Sequence, residues 1–158
     1  MSGFFQCVAG PIIERPATPF KIIDGDIAMT SRKAIYIKGF AHDNPIPAAC
    51  RIGNTVMTGV INGVDPVTGE FPDSLEEQCV FLFQQVESII RAAGGTMDDI
   101  LKMTVWMKDS SQRASLNKVW LATFPDANDR PARHTLQAAL QGKRLIQCDF
   151  TAVIADGR

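Results

Sequence analysis

The run Arg130-Pro131-Ala132-Arg133-His134-Thr135 joins a fixed backbone entry to a cation. Pro131 lacks an amide donor and so suits the first position of a strand rather than its middle. Past it, alternation puts Arg133, Thr135 and Gln137 on one face, and His134, Leu136, Ala138 and Leu140 on the other. A guanidinium on a rigid strand can clamp a carboxylate, because its planar fork donates to two oxygens at once. The same pattern also fits a plain surface arginine at a strand end.

Other reactive side chains are scattered. His42 and His134 stand far apart, and Cys7, Cys50, Cys79 and Cys148 form no C-x-x-C pair. No zinc site is expected, and no cofactor. Cys79 falls on an apolar helical stripe, where a thiol packs as a small hydrophobe. Asp149 lies on the polar side of the last strand with Gln147 and Thr151, while Cys148 alternates with Ile146 and Phe150. Asn117 sits beside the buried side of a helix, where a buried amide must find a partner, either a nearby loop or a ligand.

The elements that must position these groups read as follows. Ala34 to Phe40 is β-branched and aromatic, hence a strand. Ala48 to Ile52 and Thr55 to Asn62 flank Gly53-Asn54, a two-residue hairpin signal. On the second of these, Thr55, Met57, Gly59 and Ile61 are expected to share a face. Gly59 marks either a bulge or room for a ligand. Ser74 to Ala93 reads as a helix: Ser74 and Glu77 suit a capping box, and Leu75, Cys79, Leu82, Val86, Ile89 and Ala93 form one stripe. Ile100 to Lys108 alternates as a strand, with Leu101, Met103, Val105 and Met107 on its apolar face. A second helix runs from a cap at Asp109, Ser110 or Ser111 to about Thr123, burying Leu116, Val119, Trp120 and Phe124. Arg133 to Leu140 and Leu145 to Ile154 are the last strands, joined through Gly142.

Two helices cover one face of such a sheet, and the other face needs a second copy. Composition bounds the rest. The chain has 158 residues, 46% hydrophobic and 21% charged, with a formal net charge of -1. That suits one globular domain and advertises neither a nucleic-acid nor a membrane partner. Residues 1–32, broken by Gly10, Pro11, Pro16 and Pro19, read as an N-terminal arm before a domain over 33–158. Met1 to Ile13 has no signal-peptide pattern, and the unpaired cysteines fit a cytoplasmic protein.

Three stretches together resemble the RidA/YjgF superfamily, also called the L-PSP endoribonuclease family. They are Gly53-Asn54-Thr55-Val56-Met57-Thr58-Gly59 with Asp65-Pro66-Val67-Thr68-Gly69, then Asp98 to Asp109 leading to Leu116-Asn117, and Arg130-Pro131-Ala132-Arg133. The resemblance implies an α+β, chorismate-mutase-like fold: a six-stranded mixed sheet with two helices on one face. It also implies a homotrimer with clefts between subunits. The chemistry implied is hydrolytic deamination of enamines or imines carrying a carboxylate, giving a keto acid and ammonia, with Arg133 gripping the carboxylate. Asn117 and Thr135 match family positions, and Trp120 is a candidate lining residue. Where the family's deaminases have a serine this chain has Gly59, and where they have a tyrosine it has Ile46. Their glutamate aligns with Cys148 or, with one extra loop residue, Asp149; alternation favours Asp149, on the face opened by Arg133. A divergent branch is implied, similar to 2-aminomuconate deaminases, with a larger and more apolar pocket. A non-enzymatic binder of small carboxylates is the alternative, and an endoribonuclease a weaker one, since no basic stripe or aromatic platform is present.

Overall fold

A computed structural model describes residues 31–38 and 44–155. The expected arm falls almost wholly outside the described residues, as does His42. The chain enters a short strand β1 (Lys33–Ile35) and then a hairpin, β2 (Ala49–Ile52) and β3 (Thr55–Thr58). Gly53 turns that hairpin at φ +58°, a conformation that favours glycine. A two-residue strand β4 (Ile61–Asn62) follows, then the helix α1 (Leu75–Ala92). Strand β5 (Ile100–Met107), a 3-10 turn (Ser110–Gln112), helix α2 (Arg113–Thr123), β6 (Ala132–Gln137) and β7 (Ile146–Val153) complete it.

The helices start and stop for local reasons. The Ser74 side chain accepts from the Glu77 amide at 3.4 Å and closes the open amino end of α1. At the other end Gly94 takes φ +89° and the Gly95 amide returns to the Ile90 carbonyl at 2.9 Å. Asp109 accepts from the Ser111 amide at 2.9 Å and starts the turn that leads into α2.

The sheet runs β1-β2-β3-β7-β5-β6, with β4 also paired to β7. Among the described residues β5 and β6 run parallel and the other pairs are antiparallel. Both helices lie on one face. Leu82, Val86, Ile89 and Ile90 of α1 and Leu116 and Trp120 of α2 are buried with Met103, Val105, Met107, Cys148, Phe150 and Ala152 of the sheet. Each such side chain removed from water stabilises the fold by about 1.5–3 kcal/mol. The mixed sheet with two helices is the fold class expected from sequence.

Two bulges alter the expected faces. The strand expected over Thr55 to Asn62 is broken into β3 and β4, because four steps from Met57 to Ile61 meet three steps from Thr151 to Cys148. The extra residue resets the alternation, so Met57 is exposed while Ile61 is fully buried. Thr58 fills the gap by accepting from the Phe150 amide at 2.9 Å. In β5 a second bulge lies between Ile100 and Lys102. It turns Leu101 outward at 56% exposure, although alternation had placed it with Met103.

Candidate functional site

Arg133 is the second residue of β6, at the edge of the sheet. It pairs with Met103, which pairs in turn with Phe150, and both of these face the helices. Arg133 therefore points to the helix side, where α2 meets it. Its Cζ stands 4.6 Å from the centroid of the Trp120 ring, a cation–π stack. Its Nη2 donates to Asn117 Oδ1 at 2.7 Å. Its Nη1 is shielded from solvent and meets no acceptor among the described residues. Such a donor carries a desolvation cost that an incoming oxygen would remove. Burial, and then the nearby Arg113 charge, push the Arg133 pKa down from its usual value. Both effects disfavour the cation as it stands, and a bound anion relieves both. The arrangement is a half-buried positive fork, braced on two sides, with its shielded Nη1 unspent. Thr135 follows on the same face and is half-buried.

Trp120 owes its place to α2. It is buried at 6% exposure, with Phe83 at 6.3 Å and Phe124 at 4.8 Å between ring centroids. Asn117 lies one turn earlier on the helix, so both reach the same strand residue. The expected partner of Asn117 was a loop or a ligand; the structure gives it Arg133.

Asp149 does not share the face of Arg133, as alternation across the last strands had suggested. Asp149 pairs with Thr104, and Thr104 with His134, so this row lies on the open side of the sheet. The row holding Thr135 ends instead at Cys148. The expectation failed because it grouped polar with polar. At the sheet edge Arg133 faces inward, and α2 supplies the polar and aromatic partners that an inward cation needs. Cys148 is fully buried, and burial followed by the Asp149 charge raises its thiol pKa strongly. A neutral thiol sealed from water cannot activate one, so of the two candidates for the water only Asp149 is reachable.

The open face carries a cavity of about 360 Å³ near the start of β7, bordered by Ile46, Asn62, Leu140, Arg144 and Gln147 among others. Ile46, expected to contact substrate, lines it. Gly59 sits in the β3–β4 bulge, its amide donating to the Ala48 carbonyl at 2.9 Å. A Cβ there would meet only the Pro47 and Ala48 carbonyl oxygens, at 3.7 and 3.8 Å, so packing does not demand glycine. Arg144, Asn62 and Gln147 were not among the sequence candidates. Gln147 shares the strand face of Asp149 and was legible in that respect; Arg144 read as a loop residue. No cluster of metal-binding type occurs among the described residues.

The sequence matches the family described as Endoribonuclease L-PSP over residues 34–154. It is 35% identical over 89 residues to the 2-iminobutanoate/2-iminopropanoate deaminase of Escherichia coli K12, covering 56% of this chain and 70% of that protein. Among solved structures, the YjgF gene product of E. coli superposes with a TM-score of 0.70 at 31% identity, over 77% of this chain and 98% of that one. E. coli TdcF, solved with bound serine, gives a TM-score of 0.72 at 28% identity, over 78% and 99%. Fold and sequence thus agree, and the chain belongs to the Endoribonuclease L-PSP family, within the RidA/YjgF superfamily.

Proposed function

We propose that this protein hydrolyses enamine or imine intermediates carrying a carboxylate, releasing a keto acid and ammonia, at clefts shared between the subunits of a homotrimer. The observation that carries the reading is the braced fork of Arg133, with Nη1 lacking an acceptor. The kinship with an E. coli protein named as an imine deaminase supports the chemistry.

Arg133 and Asp149 face opposite sides of one sheet. A single chain cannot bring both to one small molecule. A second copy laid on the open face can, by presenting its Arg133 near this chain's Asp149. That face exposes Met57 and Ile52, and Leu136 in part, apolar surface that favours a cover.

In the proposed cleft the arginine fork holds the substrate carboxylate and fixes the adjacent C=N bond. Asp149 takes a proton from water as the oxygen adds to that carbon and passes it to the imine nitrogen, which gives a neutral carbinolamine. On collapse the hydroxyl proton moves to the nitrogen, the carbonyl forms, the C–N bond breaks and ammonia leaves. Asn117 acts indirectly by positioning the guanidinium, while Thr135, Ile46 and Gly59 border the substrate.

A binder without turnover is the second reading, and Gly59 favours it, since the hydroxyl implied at that position is missing. The test generates 2-iminobutanoate in situ with an amino acid oxidase and follows ammonia release above the spontaneous rate. Acceleration by the wild type and not by Arg133→Ala supports the hydrolase. Binding of 2-oxobutyrate without acceleration selects the binder.

A further inference from the structure

We infer that the cavity bordered by Gln147, two residues before Asp149 on the same strand face, is a subsite for a second acidic group, with Arg144 as its anchor, so that the substrate class is the imine or enamine of a dicarboxylic acid. The inference rests on the hydrolase reading for the reacting end of the substrate and adds the far end.

Arg144 borders the cavity and is held rather than free: its Cζ lies 5.2 Å from the centroid of the Phe71 ring, and its Nη1 donates to the Gln141 carbonyl at 3.3 Å. No carboxylate pairs with it among the described residues, whereas its neighbour Lys143 is paired with Asp73 at 3.0 Å. Four of the five guanidinium N–H groups therefore have no protein acceptor there. Gln147 Nε2 donates to Asn62 Oδ1 at 2.7 Å, which leaves the Asn62 amide nitrogen as a further donor at the rim. Ile46 and Leu140 supply the apolar wall that a carbon chain needs. Lys108 adds charge to the same loop by donating to the Gly142 carbonyl at 3.5 Å.

The spacing suits one molecule. Gln147 and Asp149 are two residues apart on one strand face, about 7 Å along the chain. A short dicarboxylate is of that length, so one molecule could reach from Asp149 to the cavity while its distal anion stays away from the Asp149 charge. A monocarboxylic substrate leaves Arg144 unmatched.

The test compares imines made in situ from glutamate and from 2-aminobutyrate, with calorimetric binding of 2-oxoglutarate and 2-oxobutyrate as a readout independent of turnover. Wild type should prefer the dicarboxylic member of each pair by about five-fold, the upper value for one partly exposed ion pair. Arg144→Ala should bring the ratio to about one. Arg144→Gln, which keeps a polar side chain and removes only the charge and the stack on Phe71, should do the same, and unchanged urea midpoints in both variants exclude misfolding as the cause. Equal rates for the two imines in the wild type, or a preference that survives both variants, overturns the subsite while leaving the hydrolase reading intact. Hydrolysis of neither imine with preferential 2-oxoglutarate binding keeps the subsite and removes the hydrolase. Binding of neither keto acid removes both.

Discussion

Arg133 rests its guanidinium on the face of Trp120, 4.6 Å from the ring centroid to Cζ. The stack and the Asn117 bond fix the fork before any ligand arrives, so little ordering remains to be done on binding. Removing the fork should therefore cost more than its charge alone. Arg133→Ala is expected to lower kcat/KM for imine hydrolysis by about 100-fold, in the range for loss of one partner of a half-buried charge pair. Arg133→Lys should recover only part of this, since an ammonium neither stacks as a plane nor donates as a fork. Ammonia release, with circular dichroism as the folding control, measures both.

Because Arg133 and Asp149 look to opposite sides of the sheet, each proposed site draws one group from each of two copies. Asp149→Asn should lower kcat by about 100-fold or more with KM little changed, as for loss of a general base. Mixed trimers refolded from Arg133→Ala and Asp149→Asn chains should regain activity that neither variant has alone. Activity no greater than the sum of the separate variants would place both groups in one chain's site, or outside it.

Two glycines should respond to an added side chain to very different degrees. At Gly63 a Cβ would run into the backbone of Gln78, where β4 passes close under α1. Gly63→Ala is expected to destabilise the fold by about 2–3 kcal/mol, the range for overpacking against rigid backbone. At Gly59 the Cβ meets only ordinary contacts. Gly59→Ser should cost less than about 1 kcal/mol and should favour the smaller imine by narrowing the cleft. Urea midpoints and the ratio of rates on two imines check these expectations.

Burial, and then the Glu76 charge, push the Cys79 thiol up from 9.0 to about 12. The native state thus holds a proton that the unfolded chain releases near pH 9. The stability this supplies is fully present below pH 9 and is lost as pH rises toward 12. The slope approaches about 1.4 kcal/mol per pH unit for one thiol. Cys79→Val, which cannot titrate, should show a smaller loss of urea stability between pH 8 and pH 10.5 than the wild type. Equal losses would mean that Cys79 ionises as freely in the native state as in the unfolded chain.

The elements were legible where a periodic pattern had local punctuation. Ser74 and Gly94-Gly95 bracket α1, and Gly53-Asn54 and Gly142 mark the turns. The placement of Arg133 near the start of a strand was legible from Pro131 and the alternation past it. What failed was parity across strands. Leu101 and Ile61 took faces opposite to those expected, because one inserted residue in a strand leaves no mark in composition. Asp149 was assigned to the face of Arg133 by matching polarity, although strand pairing rather than polarity decides which residues share a side. Arg144 was missed because a loop residue next to Gly142 gives no periodic signal; only the folded chain brings it to Asn62 and Gln147.

The surplus residue between Met57 and Ile61 makes the length of this segment matter more than its letters. With it, one continuous run along β7 offers Met57 outward and then seals Ile61 inside. Excising a single amino acid there would leave three steps facing three, so the ladder could run unbroken with Ile61 still opposite Cys148. A second inserted residue would do the reverse, driving Asn62 toward the oily interior and Ile61 into water, so this short run should tolerate losing a residue and not gaining one.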